Sequence, residues 1–296
     1  MNKTILVAGG TGDLGGRIIK ALIKRGADVV AIVRTSSDAG KVEQLQKMGV
    51  KVIQVDMSSV SGLTQACKEV SCVVSAVAGL RDAIVVSQTL LLEAAIAAGV
   101  PRFIPSDFSS DFTKLPEGEN RNFDLRKEFH KGLDAAPIAS TSVMNGAFAD
   151  ILAYNTPFYN LKQNTVGYWG ADPDFKVDFT TKDDTAAYTA AVALDDATPE
   201  ILRIASFQIS ANELVSMATK IKKTEFKLVP MGSLEGLSAY NKKERAANPQ
   251  GENELYPKWQ SSQYMHSMFS MQNNPLDNGR YRDIVWASVH DVLSNI

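Results

Sequence analysis

The chain has 296 residues, of which 45% are hydrophobic and 22% charged, and no tract is compositionally biased. This length suits one large domain or a core with an accessory lobe, and the composition excludes a disordered or fibrous protein. The 31 Lys and Arg residues nearly balance the 33 Asp and Glu residues. This balance gives no electrostatic footprint for nucleic acid or an anionic membrane, so the expected partner is a small molecule.

The cysteines and the first residues indicate the compartment. Cys67 and Cys72 are too few for a disulfide framework, and no His/Cys cluster has metal-ligand spacing, so no metal site is predicted. The chain enters an apolar segment without a leader pattern, and no window reaches about 18 apolar residues. We therefore expect a cytoplasmic protein, monomeric or homodimeric.

Apolar runs alternate with helical patterns through the first half of the chain. The runs begin at Thr4, Asp28, Val50, Ser71 and Arg102. Helical patterns cover 14–25, 38–48 and 82–98, and each stops at a glycine: Gly26, Gly49 and Gly99. This alternation predicts an α/β fold with a doubly wound parallel sheet and helices on both faces.

The rhythm changes after about residue 150. The predicted elements there are short strands at 163–169 and 175–179 and helices at 184–194 and 211–221. We therefore assign 1–150 to a nucleotide-binding core and 151–296 to a smaller α+β lobe, with part of 163–206 returning to the core.

A glycine-rich turn joins the first predicted strand to the first helix. It contains Gly9, Gly10, Thr11, Gly12, Asp13, Leu14 and Gly15. Glycines in this strand–turn–helix context keep the turn tight, let the backbone approach a pyrophosphate and point the helix N-terminus at the anion. A P-loop would need Gly-Lys-Ser/Thr, which is absent. The turn therefore predicts dinucleotide binding.

The end of the second strand distinguishes NADP(H) from NAD(H). An acidic residue there would bind the ribose 2′-hydroxyl, whereas an arginine suits a 2′-phosphate. This chain has Arg34 followed by Thr35 and Ser36, with Lys41 nearby. A guanidinium with hydroxyl groups suits a phosphate, so the predicted cofactor is NADP(H). The alternative is that Arg34 is only an exposed loop residue.

The ends of the third and fourth strands supply further candidates, because ligands in such sheets bind beyond the carboxyl ends of the strands. Asp56 and Met57 are predicted beside the adenine. Ala76, Val77 and Ala78 are predicted beneath the ribose and nicotinamide, with simple sheet packing as an equal alternative for these small residues.

The fifth strand is followed by polar residues where a nicotinamide ring would lie. Ser106 is assigned to the cofactor, and Asp107 and Phe108 to the substrate. The alternative is that the Ser106 hydroxyl and the Asp107 carboxylate only cap a turn.

These motifs resemble the NmrA-like branch of the atypical short-chain dehydrogenases/reductases, and within it the isoflavone reductase and phenylcoumaran benzylic ether reductase group. The matching segments are GGTGDLGGRI, VRTS, the VDM and VVSAVA pair, AGVPRFIPSDF, VGYWG and TTKDDTAAYTAAVALDD. The resemblance covers essentially the whole chain. It implies a Rossmann core, NADP binding and a C-terminal substrate lobe.

The proton donor departs from the pattern. Ordinary short-chain dehydrogenases donate a proton from the Tyr of Tyr-x-x-x-Lys, and no lysine here has Tyr four residues before it. The resemblance implies a catalytic lysine on the helix before the 135–138 turn, at a position where this chain has Asp124. The nearest candidates are Lys127, on roughly the same helical face, and His130, although a lone histidine on a helix is more often solvated.

The loop after the next strand is predicted to face the nicotinamide. Asn145 is assigned to the cofactor carboxamide or a substrate oxygen, with a turn role as the alternative, and Gly146 and Phe148 are assigned to the substrate.

Two functions remain open. The favoured one is an NADPH-dependent reductase of a small aromatic quinone or of an activated alkene or ether, because the cofactor performs the hydride chemistry. Reduction of a quinone or an activated alkene can draw its proton from water. The alternative is a non-catalytic NADP(H)-binding redox sensor resembling NmrA.

Overall fold

The computed structural model describes residues 2–296, which form two compact units. The first unit contains the described residues up to Asp107, together with Leu125–Val143 and Thr185–Leu202. The second contains Phe108–Asp124, Met144–Asp184 and Arg203–Ile296.

The sequence predicts a boundary near residue 150, with part of 163–206 returning to the first domain. Residues 108–124 belong to the second unit, and the segment that returns to the first unit is 185–202, which lies inside the predicted 163–206. The second unit is also about as long as the first, rather than smaller.

A parallel sheet forms the centre of the first unit. Its strands are β1 (Thr4–Ala8), β2 (Asp28–Val33), β3 (Lys51–Gln54), β4 (Cys72–Ser75), β5 (Arg102–Ile104) and β6 (Ala139–Ser140). They lie in the order β3-β2-β1-β4-β5-β6, and Ile5 of β1 is in register with Val29 and Cys72. The structure confirms the five predicted strands and the α/β fold class. Continuous apolar runs identify such strands because a sheet covered on both faces needs them.

Helices connect these strands. They are α1 (Asp13–Lys24), α2 (Ala39–Lys47), α3 (Val60–Ala66), α4 (Gln88–Ala97) and α5 (Arg121–Leu133). A sixth helix, α6 (Lys182–Leu194), comes later in the chain, between two strands outside this sheet. Gly26 and Gly49, which follow α1 and α2, have φ values of +77° and +81°. These left-handed conformations confirm the predicted helix stops.

One predicted helix begins differently. The first six residues of the 82–98 segment, Asp82–Ser87, form a π-helix before α4 starts. The Ser87 hydroxyl donates to the carbonyl oxygen of Asp82, five residues earlier, at 2.8 Å. This side-chain bond matches the wider turn, whereas apolar periodicity alone does not distinguish it from an α-helix.

The first unit has its own core between the sheet and the helices. Leu6, Val73, Leu91 and Phe103 are completely buried there. The strand ends that carry the candidate site are therefore fixed by close packing.

The second unit contains short strands and four further helices. Its strands are β8 (Ala147–Phe148), β9 (Tyr159–Asn160), β10 (Thr165–Tyr168), β11 (Val177–Thr180), β13 (Phe207–Ile209) and β14 (Lys227–Pro230). They form two sheets, β14-β10-β9 and β13-β11-β8. The helices are α7 (Ala211–Lys222), α8 (Leu234–Ala247), α9 (Lys258–Ser270) and α10 (Val289–Ser294). Strands β7 (Ser142–Met144) and β12 (Ile201–Arg203) each span a point where the chain passes from one unit to the other.

Aromatic side chains form much of the second unit's core. Phe158 stacks on Phe179 with ring centroids 5.7 Å apart, and Phe269 meets Phe158 edge-on at 5.5 Å. Phe158 and Tyr159 are completely buried. These rings therefore stabilise the core of the unit. Among residues 2–296, no helix has both the length and the apolar character needed to cross a membrane.

Candidate functional site

The glycine turn between β1 and α1 has no space for side chains at two positions. Gly9 has a φ of +84°, and a Cβ there would lie 2.4 Å from the carbonyl oxygen of Ala76. A Cβ on Gly15 would lie 2.2 Å from the carbonyl oxygen of Gly9. Gly12 donates its N–H to the same oxygen at 2.9 Å. The turn is thus pressed against both β4 and its own helix, as a dinucleotide-binding turn requires.

The start of α1 also suits an anion. Its N-cap residue, Gly12, has no side chain that could cap the first-turn amides, and a helix N-terminus attracts an anion. Asp13, the first helical residue, pairs with Arg17 at 2.7 Å. The cation next to this carboxylate offsets its negative charge near the predicted pyrophosphate. The residues present therefore fit the phosphates of a dinucleotide.

The predicted 2′-phosphate residues lie on an exposed turn after β2. Arg34, Thr35 and Ser36 are all exposed, and Ser37 N–H donates to the Arg34 carbonyl at 3.0 Å to close the turn. Lys41 is exposed in the first turn of α2, where its N–H is capped by Asp38 at 2.9 Å. Two cationic side chains therefore occur within one short segment, Arg34 to Lys41.

The residues after β3 have local roles beside their predicted adenine contact. Asp56 accepts the Ser58 N–H at 2.9 Å and the Ser58 hydroxyl at 2.8 Å. The Ser58 backbone N–H, followed by its hydroxyl, lowers the pKa of Asp56 below its usual value. Met57 packs against the first unit's core. Both residues therefore help to hold the strand end in place.

Side chains tie the ends of β4 and β5 together. The Ser106 hydroxyl donates to the Val77 carbonyl at 2.7 Å, and the Ser106 N–H donates to Gln88 Oε1 at 2.9 Å. Arg126 Nε donates to the Ser106 carbonyl at 3.2 Å. Ala76, Val77 and Ser106 are thus brought to one edge of the sheet, whereas the side chain of Ala78 is exposed. The sequence patterns do not single out Gln88 or Arg126, although Arg126 lies one helical turn before His130.

His130 is held between two carboxylates. Its Nε2 lies 2.7 Å from Asp107 Oδ2, and its Nδ1 lies 3.1 Å from Asp134 Oδ1. Ser142 also donates to Asp107 Oδ2, at 2.7 Å. Asp107 is completely buried, and only 18% of the His130 side chain is exposed. His130 is therefore not a solvated histidine on a helix surface.

The charge of His130 follows from these neighbours. Burial disfavours the imidazolium, but the hydrogen bond and charge of Asp107, with the charge of Asp134, outweigh it and raise the pKa of His130 to about 9. At neutral pH both ring nitrogens carry protons, and both are donated to carboxylates. This arrangement favours a role in holding the Asp107 loop over proton donation to a substrate.

The other two candidates on α5 differ from His130. Asp124, at the position implied for a catalytic lysine, accepts the Gly118 N–H at 3.0 Å and so closes the loop before the helix. Lys127 is partly buried on the same helix. The proton donor of the chain therefore stays a prediction.

The remaining candidates belong to the second unit. Phe108 and Gly146 are buried and Asn145 completely so, whereas Phe148 is partly exposed. Gly146 has a φ of +65°. Lys182 Nζ lies 5.8 Å above the Phe148 ring, which is within the range of a cation–π contact.

A buried carboxylate that no sequence pattern indicates lies under the Asn145 turn. Asp178, on β11, accepts the Asn273 N–H at 2.6 Å and Gln208 Nε2 at 2.7 Å. Burial raises the pKa of Asp178 to about 6, although these two donors and the charge of Lys114 partly oppose the shift. The partners are 95 and 30 residues away along the chain, so local spacing gives no signal for them.

Comparison with known proteins identifies the family. Residues 1–261 match the NmrA-like family. The chain belongs to the NmrA-like family. The resemblance noted from the sequence motifs is therefore confirmed.

Named relatives and solved structures show which proteins this NmrA-like chain is similar to. It is 30% identical over 258 residues to a bifunctional pinoresinol-lariciresinol reductase 1 of Linum usitatissimum, covering 82% of each chain. A structure of AtPrR2 with NADP⁺ and (+)pinoresinol is 25% identical and has a TM-score of 0.79 over 100% of this chain and 99% of that one. An isoflavone reductase structure, 20% identical with a TM-score of 0.80 over 100% of this chain and 99% of that one, shows the same fold.

The second unit of this NmrA-like protein contains a cavity of about 510 Å³. Polar and apolar side chains share its lining, among them Leu115, Leu234, Lys242 and His266. Burial, helped by the charge of Lys242 and opposed by Glu119, lowers the pKa of His266, which is therefore neutral at neutral pH. The residues assigned to the substrate from the sequence, Asp107, Phe108, Gly146 and Phe148, are not among its lining residues.

Proposed function

We propose that this protein uses NADPH to reduce a small aromatic compound of the phenylpropanoid type, such as an activated alkene, an aromatic ether or a quinone. The observation that carries the proposal is the β1–α1 turn, in which a Cβ on Gly9 or Gly15 would collide with backbone oxygens. Such a turn suits a dinucleotide. Its occurrence in a family with named reductases supports a reductase rather than a sensor.

The oxidoreductase class and the NADP(H) cofactor agree with the relatives. Pinoresinol-lariciresinol reductases align with most of the chain, and AtPrR2 was solved with NADP⁺. The predictions of an oxidoreductase and of an NADP(H) cofactor are therefore confirmed. When bound, NADPH supplies a hydride. In our proposal the 9–15 turn holds the pyrophosphate and Arg34 the 2′-phosphate.

The substrate class is part of the proposal. The relatives are named as reductases of pinoresinol and lariciresinol, which supports an aromatic substrate of that type. Both ring nitrogens of His130 bind carboxylates. We therefore assign the proton that follows hydride transfer to Lys127 or to solvent rather than to His130.

Nicotinamide absorbance during turnover tests this function. Purified protein is mixed with NADPH or NADH and a panel of quinones, activated phenylpropanoid alkenes and lignan-type ethers. We expect NADPH oxidation with at least one aromatic acceptor and much slower oxidation of NADH. Tight NADPH binding without turnover of any acceptor would contradict the reductase and restore the sensor.

Arg34→Ala tests the cofactor assignment. Because a charge-assisted hydrogen bond is worth about 1.5–3 kcal/mol, the preference for NADPH over NADH falls by roughly 10- to 100-fold. The matched control is Lys47→Ala, which removes one cation from the same unit at a side chain 71% exposed and paired with Glu43. An Arg34→Ala protein with an unchanged preference would refute the assignment.

A further inference from the structure

Gln88 is a buried amide of the first unit that joins the π-helix to the end of β5. It is the first residue of α4, directly after the π-helix, and only 1% of it is exposed. Its Nε2 donates to the carbonyl oxygen of Ile84, within the π-helix, at 2.9 Å. The preceding residue, Ser87, binds the Asp82 carbonyl at 2.8 Å. Two successive side chains therefore fold back onto the wider turn.

The other end of the Gln88 amide replaces a missing strand partner. The pairing of β4 with β5 stops at Ile104, and the next residue, Pro105, has no N–H. Gln88 Oε1 accepts the N–H of Ser106 at 2.9 Å, and the Ser106 hydroxyl donates to the Val77 carbonyl at 2.7 Å. Side chains therefore continue the connection between β4 and β5 beyond the last paired residues.

Backbone partners fix which way the Gln88 amide points. The Ile84 carbonyl can only accept a hydrogen bond, and the Ser106 N–H can only donate one. Turning the amide around would set donor against donor and acceptor against acceptor. An apolar side chain of the same length would leave both buried backbone groups without this partner, which is costly. Residue 88 is therefore specified by its hydrogen bonds and not only by its volume.

The segment that Gln88 holds in place lies against the glycine turn. A Cβ on Gly9 would lie 2.4 Å from the Ala76 carbonyl oxygen and 3.2 Å from the Val77 nitrogen. The backbone of these two residues is thus a direct neighbour of the turn that we propose to hold the pyrophosphate. Gly9, Ala76, Val77 and Gln88 all belong to the first unit. Because the contact is close, a shift of this backbone is transmitted to the turn.

We propose that Gln88 is a positioning residue for NADP(H), which holds the 76–78 segment and Ser106 where they contact the ribose and nicotinamide half of the cofactor. This inference rests on the proposed function. Gln88 itself touches no cofactor atom and acts through the Ser106 N–H and hydroxyl. Its place directly after a π-helix agrees with the frequent occurrence of such turns at functional sites.

Two probes separate the positioning role from the proposed function. NADP⁺ contains both halves of the cofactor, whereas adenosine 2′,5′-bisphosphate contains the adenine and the 2′-phosphate but neither the nicotinamide nor its ribose. Calorimetry measures the Kd of both probes for each protein. The ratio of the two Kd values reports the half of the cofactor that the bisphosphate lacks, and it cancels titration of the 2′-phosphate.

Two variants have side chains of similar length and different hydrogen bonds. Gln88→Met makes neither bond. In Gln88→Glu, a protonated carboxyl donates to the Ile84 carbonyl and accepts the Ser106 N–H, whereas the ionised form keeps only the second bond and sets a negative charge against a carbonyl oxygen. The matched control is Thr141→Val, which removes a buried hydroxyl of the same unit that accepts a hydrogen bond from Arg102, at the amino end of β5, at 3.1 Å.

At about pH 8 we expect both Gln88 variants to weaken NADP⁺ binding by roughly tenfold relative to the bisphosphate, the loss of about one hydrogen bond. At about pH 5.5 Gln88→Glu regains the wild-type ratio, because burial keeps its carboxyl protonated. Gln88→Met stays weaker at both pH values. Thr141→Val matches the wild type at both.

The ionisable side chains next to this network are common to all the proteins compared. Arg126 donates to the Ser106 carbonyl at 3.2 Å. Asp107, the next residue, pairs with His130. The wild type at each pH contains these groups, so its ratio subtracts any effect of their titration. A change that remains belongs to residue 88.

Hydrogen exchange of the wild type gives a test that needs no variant. Coupling between two sites is reciprocal, so a cofactor that depends on the bond between Ser106 and Gln88 also stabilises that bond. We expect NADP⁺ to slow exchange of the Ser106 amide by roughly tenfold more than the bisphosphate does, which matches the loss expected for the variants. Equal protection by both probes rejects the inference, even if neither Gln88 variant folds.

Other outcomes overturn the inference in distinct ways. Failure of both probes to bind the wild type rejects the proposed function itself. A folded Gln88→Met protein with the wild-type ratio rejects the positioning role. So does a Gln88→Glu protein whose ratio is the same at the two pH values. An equal loss of affinity for both probes assigns Gln88 to the fold alone and also rejects the inference.

Discussion

Each unit buries one carboxylate beside a turn predicted to contact ligand, and the two carboxylates have opposite kinds of partner. Asp107 in the first unit meets the His130 imidazolium and the Ser142 hydroxyl. Asp178 in the second accepts hydrogen bonds from the neutral Asn273 and Gln208. The first carboxylate stabilises a charged partner, whereas the second is a charge that burial disfavours.

The comparison separates a buried acid that stabilises the fold, Asp107, from one that costs stability, Asp178. The Asp107–His130 pair lowers the free energy of the folded state as long as His130 is protonated. The ionised Asp178 raises the free energy of the folded state. The presence of Asp178 is explained if the turn that it orients is functional. Four measurements test this contrast.

Asp107→Ala is expected to have the largest effect. It leaves the buried His130 cation without its main partner and lowers the free energy of unfolding by about 3–5 kcal/mol. Urea unfolding measures this loss. Asp134→Ala, which removes the other carboxylate on His130 at a side chain 69% exposed, is the control and costs less than about 1 kcal/mol. Equal losses for both variants would contradict the assigned importance of Asp107.

The next-largest expected effect is the pH dependence of stability that His130 causes. His130 has a folded-state pKa of about 9, above its ordinary value of 6.5, so its contribution is complete below about pH 6.5 and lost as the pH rises through 9. The loss is on the order of 3 kcal/mol. His130→Gln keeps a donor to Asp107 but has no titration in this range, so the difference in stability between wild type and variant shrinks across it. A constant difference would show that His130 is not protonated.

Asp178, an acid rather than a base, is expected to change the stability of the protein in a lower pH range. Its folded-state pKa of about 6 lies above the ordinary 3.8, so the folded protein binds this proton more tightly than the unfolded chain does. Stability therefore falls as the pH rises from about 4 to 6, by on the order of 2–3 kcal/mol. Asp178→Asn removes this component of the pH profile, which thermal unfolding detects. An unchanged profile would indicate that Asp178 is ionised throughout.

The smallest effect is expected for Ser142→Ala. It removes one hydrogen bond to Asp107 Oδ2 while His130 keeps its own. The loss is about 1.5 kcal/mol. Ser140→Ala on β6 is the control, and a surface-like change there stays within about 0.5 kcal/mol. A Ser142→Ala loss no larger than that of the control would mean that His130 alone satisfies Asp107.

The strands of the first unit are predictable because their information is local. Continuous apolar runs locate β1 to β5, and Gly26 and Gly49 end their helices where the backbone turns left-handed. The glycine turn is predictable for the same reason, although the structure shows that Gly15 has less space than Gly12, whose added Cβ would lie 3.1 Å from the Gly9 carbonyl.

The polar networks are not predictable in this way. Asp107 and His130 are 23 residues apart, and Asp178 and Asn273 are 95 apart. Which carboxylate meets which donor depends on packing that brings distant strands and loops together. The same is true of Arg126, whose contact with the Ser106 carbonyl gives no sign in the sequence except its helical spacing from His130.

The exposed turn after β2 has a consequence for the evolution of cofactor preference. Arg34, Thr35 and Ser36 contribute nothing to the buried core, and substitutions at such positions usually change stability by less than about 0.5 kcal/mol. If Arg34 binds the 2′-phosphate as we propose, the choice between the two nicotinamide cofactors is decoupled from folding. Natural drift or laboratory selection can rewrite this turn toward NAD(H), for example with an acidic residue in place of Arg34, without compensating mutations in the core.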